Sequence, residues 1–116
     1  MAAEKLNPQT VAINAALTAQ NIIIANPSAT KFMYIWAIFI QTGGTTNLTF
    51  YNGLVATGGP LSGPIPMVVQ SQINIPDCGA PIFTIDPGAS FTMNSSGTTI
   101  QSSGWCKYSN KRKREG

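Results

Sequence analysis

The sequence predicts an all-β fold, a jelly-roll-like β-sandwich of about eight short strands with extended terminal arms. Three observations carry that prediction. Apolar runs rich in β-branched and aromatic residues recur at roughly ten-residue spacing. Turn chemistry separates them, as at Asn26-Pro27-Ser28, Asn52-Gly53, Gly63-Pro64 and Asp86-Pro87-Gly88. No stretch keeps a helical apolar period for longer than a turn. A chain of 116 residues buries a single core, so we divide it into an arm over residues 1–9, a sandwich domain over 10–109 and a basic tail over 110–116.

Taken in order, Met1 to Pro8 is polar and ends on a proline that disfavours helix at Asn7. Thr10 to Asn14 and Asn21 to Ala25 read as short strands, with Ala15 to Gln20 as a helical turn between them. Lys31 to Thr42 is the only long apolar run, dense in β-branched and aromatic residues and closed by Gly43-Gly44. Strict alternation puts Phe32, Tyr34, Trp36, Ile38 and Ile40 on one face of this strand and Met33, Ile35, Ala37 and Phe39 on the other. Neither face is built for water, so the strand needs two covers: its own core, and a second layer or a neighbouring chain.

Thr45 to Tyr51 alternates again and reads as the hairpin partner of that run. Pro60, Pro64 and Pro66 restrict the following stretch to a loop with edge-strand pieces. Met67 to Gln70, Ile73 to Ile75, Ile82 to Ile85, Phe91 to Asn94 and Ile100 to Tyr108 complete the strands. At Asp86-Pro87-Gly88 proline fixes φ and glycine permits the positive φ that follows.

Charge is scarce. Charged residues are 9% of the chain, against roughly 25% in ordinary soluble domains. Between Leu6 and Asn110 only Lys31, Asp77, Asp86 and Lys107 are charged, so the body is neutral and the net charge of +3 comes from the ends. Copies of such a body repel one another weakly, which favours life in an assembly. The start of the sequence lacks the apolar segment of a secretory signal. Phe32 to Ile40 is short against the roughly 20 residues of a membrane helix. No partner strands carry a lipid-facing alternation, so no membrane partner is expected.

The chemistry-bearing residues are few. There is no histidine, and the carboxylates are Glu4, Asp77, Asp86 and Glu115, so the usual general acid and base groups are missing. Asp77 and Asp86 lie beside proline or glycine and read as turn residues. Cys78 and Cys106 have neither metal-ligand spacing nor a histidine to make a thiolate; a disulfide between them is open, but with no sign of export they read as reduced cysteines packing as small apolar side chains. Gly58 to Gly63 is not followed by Gly-Lys-Ser or Gly-Lys-Thr, so it is no phosphate loop. No enzyme, metal or cofactor is expected. The cations Lys111, Arg112, Lys113 and Arg114 suit phosphates of a nucleic acid, an acidic protein surface, or plain solvation. Of the aromatics, Tyr51 and Trp105 are the candidates for a stacking platform rather than core.

The stretch from Pro81 to Phe91 (Pro-Ile-Phe-Thr-Ile-Asp-Pro-Gly-Ala-Ser-Phe), followed by Ser95-Ser96-Gly97 and by Ser103-Gly104-Trp105-Cys106-Lys107-Tyr108, resembles the C-terminal half of small jelly-roll virion proteins of tailed bacteriophages. The similarity extends over residues 30–108; the Gly-Gly-Pro and Gly-Pro-Ile-Pro segments and the basic tail depart from it. The resemblance implies a capsid decoration or head-fibre base protein on the virion surface, commonly a homotrimer, bound to the major capsid protein. On this reading Phe32, Tyr34, Trp36, Ile38 and Phe39 form the oligomer interface, and the tail contacts an acidic capsid surface. Two rivals stand beside it. A carbohydrate- or receptor-binding module of a fibre or tail would expose Trp105 or Tyr51; a nucleic-acid-binding protein would act through the tail alone.

Overall fold

The described residues form ten strands and no helix. They are β1 (Gln9–Ala16), β2 (Asn21–Ile24), β3 (Phe32–Thr42), β4 (Thr46–Asn52), β5 (Gly59–Pro60), β6 (Ile65–Met67), β7 (Gln72–Ile75), β8 (Phe83–Ile85), β9 (Phe91–Ser95) and β10 (Gln101–Lys111). The structure is a computed structural model and describes residues 8–26, 29–55, 58–97 and 99–111, with backbone alone at Ala15 and Lys111.

Two antiparallel sheets result. The first has the order β1-β10-β3-β7, with β8 also paired to β3; the second has β2-β9-β4-β5, with β6 also paired to β4. β7 and β8 lie end to end along β3, and β5 and β6 along β4, so ten strands fill eight positions. From β1 to β4 successive strands fall in alternate sheets, and β9 and β10 return between their partners. This is the wrapping of a jelly roll, as the sequence predicts.

Three local expectations are corrected. β3 and β4 are not a hairpin: they belong to different sheets, and Gly43-Gly44 turns the chain from one layer to the other. Residues 15–20 form no helical turn, because β1 runs on to Ala16 and Leu17 extends its ladder by donating N–H to the Ile100 carbonyl at 2.8 Å. Met67 to Gln70 is not a strand. Ile65–Met67 pairs with β4, and Val68 to Ser71 is a turn closed by Ser71 N–H on the Val68 carbonyl at 2.9 Å, with Gln70 at φ 66°. The Asp86-Pro87-Gly88 turn forms as expected, with Gly88 at φ 79° and Ala89 N–H donating to the Asp86 carbonyl at 3.0 Å.

The core lies between the sheets. Met33, Ile35, Ile38 and Ile40 of β3 pack with Leu48, Phe50, Met67, Ile85, Phe91, Met93 and Cys106. Phe50, Phe83 and Phe91 form an aromatic cluster with ring centroids 5.6 to 5.8 Å apart. The inward set of β3 changes parity midway, from 33 and 35 to 38 and 40, which strict alternation does not allow. The cause is a β-bulge. Lys107 of β10 opposes Ala37, but Tyr108 opposes Ile35, so Trp36 is the extra residue and the strand's face switches there.

Candidate functional site

The bulge shapes the outer face of the first sheet, where Tyr34, Trp36, Phe39 and Trp105 come together. Tyr34 and Trp36 lie outside the core cluster and are nonetheless buried, at 8% and 1% exposure. Trp36 Nε1–H donates to Ser109 Oγ at 2.9 Å, and its ring tilts against Tyr34 at 6.2 Å. Further along, half-buried Phe39 stacks on Trp105 of β10, centroids 6.4 Å apart at 28°, since the two oppose each other in the ladder. Trp105 keeps 40% of its surface exposed. Beside it, Lys107 Nζ meets Asp77 Oδ2 at 3.1 Å.

The five residues expected at an interface therefore divide. Ile38 is in the core. Tyr34 and Trp36 are covered within the chain itself, and with them part of the second cover that β3 demands. Phe32 and Phe39 remain half-buried, and Phe39 with Trp105 is a partly exposed aromatic pair on this face. Tyr51, half-buried on β4 of the other sheet, follows core-facing Phe50 and so turns outward. Tyr51 and Trp105 thus stand on opposite outer faces and make no common platform. Arg112, Lys113 and Arg114 and the side chain of Lys111 lie outside the described residues, as does most of the N-terminal arm; the two end strands reach Gln9 and Lys111.

The two aspartates have structural partners. Asp77 Oδ1 accepts Gly79 N–H at 2.9 Å while Oδ2 meets Lys107, and Asp86 exchanges two hydrogen bonds with Asn52, each 3.1 Å long. Both cysteines are free. Cys106 packs as a small core side chain, and burial pushes its thiol up to about 12 from 9.0. Cys78 departs from the expectation: it is exposed in the loop after β7, its Sγ–H directed at the Pro76 carbonyl 3.6 Å away. A thiol reagent at neutral pH is therefore expected to modify one cysteine quickly and the second only on unfolding. Between about pH 9 and about 12 the native chain keeps a Cys106 proton that the unfolded chain has lost, so stability falls as pH rises through that window.

Two surface features escape sequence reading. A cavity of about 170 Å³ opens between β1 and β2, lined by Ile13, Leu17, Ile22, Ile23 and Met93 among others. Val68 and Val69 stand exposed on the β6–β7 turn, Val69 at 61%. The Val-Val pair of the second suits a strand equally well, so its exposure on a turn is not legible in the sequence. The first depends on how two distant edges align.

No family model matches the chain, and no curated protein matches it. Among solved structures, one from Bacillus endospore appendages, described as a novel family of disulfide-linked pili, is similar with a TM-score of 0.53. It shares 17% identity, covering 90% of this chain and 86% of that chain. That likeness shows the shared all-β fold.

Proposed function

We propose that this protein is a structural subunit that works by assembling with copies of itself into, or onto, a larger particle. The observation that carries the reading is the surface. Large apolar side chains stand exposed at Ile22, Leu54, Val68, Val69 and Trp105, on a body whose charged side chains between Leu6 and Asn110 are Lys31, Asp77, Asp86 and Lys107. Burial of such side chains favours association, and little charge opposes it. A capsid decoration protein on the virion of a tailed phage, seated as a trimer against the major capsid protein, is the form that the sequence resemblance supports. An appendage subunit is the second form, supported by the backbone likeness to the endospore pili across 90% of the chain.

Sedimentation and negative-stain microscopy of the full-length protein, alone and mixed with undecorated phage shells, test the reading. Discrete oligomers that pellet only with shells select decoration. Ordered fibres formed by the protein alone select the appendage. A monomer that neither assembles nor binds shells refutes the structural reading, and selective retention on immobilised glycan or free DNA would move the function to one of the two rivals.

A further inference from the structure

A β-sandwich has four sheet edges, each a row of backbone groups open to another strand, and natural folds blunt them with prolines, charges, bulges or brevity. Three edges here are blunted. β5 and β6 are two and three residues long and carry Pro60 and Pro66. β7 and β8 are four and three residues long and are flanked by Pro76 and Pro81. β2 has four residues and a register shift between Ile22 and Ile24. β1 differs in length and regularity: after Pro8 it runs eight residues, Gln-Thr-Val-Ala-Ile-Asn-Ala-Ala, with neither charge nor proline inside the strand, in unbroken register with β10.

Which backbone groups of β1 face outward follows from its end. Leu17 turns both its groups inward: its N–H donates to the Ile100 carbonyl at 2.8 Å and its carbonyl accepts Thr99 N–H at 2.9 Å. The ladder's period of two turns Val11, Ile13 and Ala15 the same way and leaves the N–H and C=O of Thr10, Ala12, Asn14 and Ala16 outward. The geometry points to a second copy of this chain as the occupant, its β1 laid antiparallel along this one about a two-fold axis through Ile13. In that register Thr10 opposes Ala16 of the copy and Ala12 opposes Asn14. All the outward groups pair, giving about eight new hydrogen bonds.

Three observations favour a copy over a foreign strand. Among the described residues no other edge strand matches β1 in length, so homotypic pairing along it is isologous, the commonest symmetry of oligomers. The strand is neutral, so two copies meet without repulsion. The core-facing side of the pairing brings Ile13 beside Ile13 at the mouth of the 170 Å³ cavity between β1 and β2, whose lining mixes Ile13, Ile22 and Met93 with Asn14, Asn21 and Ser102, and covers the exposed Ile22. The inference rests on the assembly reading and names one contact of it.

Backbone hydrogen exchange of the full-length protein, followed by NMR at low and high concentration, tests it. Val11 and Ile13 amides should be protected throughout. The amides of Thr10, Ala12, Asn14 and Ala16 should slow by about tenfold or more as copies associate. The variant Ala12→Pro removes an outward N–H without touching the β10 ladder, and should weaken dimerisation by about tenfold or more. Exchange at the four amides that ignores concentration while the mass rises overturns the β1 contact and leaves assembly standing, as does Ala12→Pro dimerising like the parent. A protein that stays monomeric at high concentration overturns the β1 contact, and the assembly reading with it if phage shells are also left unbound. If Ala12→Pro does not fold, the exchange data on the parent chain decide. Slowing of the four amides only on addition of an unrelated β-strand peptide excludes the copy as occupant.

Discussion

Gly104→Ala is expected to destabilise the fold by about 3–5 kcal/mol, among the largest effects of any single substitution. Gly104 lies in β10, opposite Ile13 of β1 and Ile40 of β3, at φ 149°. A Cβ built there overlaps the Phe39 carbonyl oxygen and crowds Ile40 Cα. These are backbone atoms of a central strand and cannot swing aside as a flexible side chain would. The methyl group must push β10 off β3, disrupting the ladder on which the first sheet depends. Urea unfolding measures the loss. Gly63→Ala is the control: nothing lies within 4 Å of a Cβ there, and the expected change is within about 0.5 kcal/mol.

Truncating the two tryptophans should separate the parts that the outer face plays. Trp36→Ala is expected to cost about 3–5 kcal/mol, since it empties a fully buried position, leaves Ser109 Oγ without its indole partner and removes the ring on which Tyr34 rests. Trp105→Ala removes a side chain 40% exposed, held by stacking on Phe39, and is expected to cost the monomer no more than about 1 kcal/mol. Its effect should appear in association instead, where an exposed aromatic covered by a partner contributes most. Thermal unfolding at low concentration and light scattering at high concentration read the two separately. Equal losses of monomer stability would show that Trp105 is as much a part of the fold as Trp36.

Much of the architecture was legible because it rests on local chemistry. Alternation, β-branched runs and turn residues located most of the strands to within a residue or two, and the prolines at 60 and 66 identified edge pieces. The parts that were not legible are long-range. Whether Lys31 to Thr42 pairs with Thr45 to Tyr51 or crosses to the other sheet depends on β10 and β7 competing for β3, about which a two-glycine turn says nothing. The bulge at Trp36 arises from register against β10, some 70 residues downstream, and one extra residue suffices to reverse the face of every residue beyond it. For that reason Ile38, grouped by alternation with Tyr34 and Trp36, lies in the core. The candidate site was legible in part. Phe39, Trp36 and Trp105 were visible as aromatics with uncertain cover, whereas the open β1 edge becomes apparent only when the other three edges are seen to be blunted.

Self-association is the property on which the proposed structural role rests. The most direct measurement is sedimentation velocity of the full-length protein across about a thousandfold range of concentration, which samples association strengths spanning about 4 kcal/mol. The expected result is a mass that rises with concentration to a defined oligomer or to fibres, with the rise weakened by Ala12→Pro or Trp105→Ala. A single monomeric species throughout, unchanged by phage shells, would contradict it.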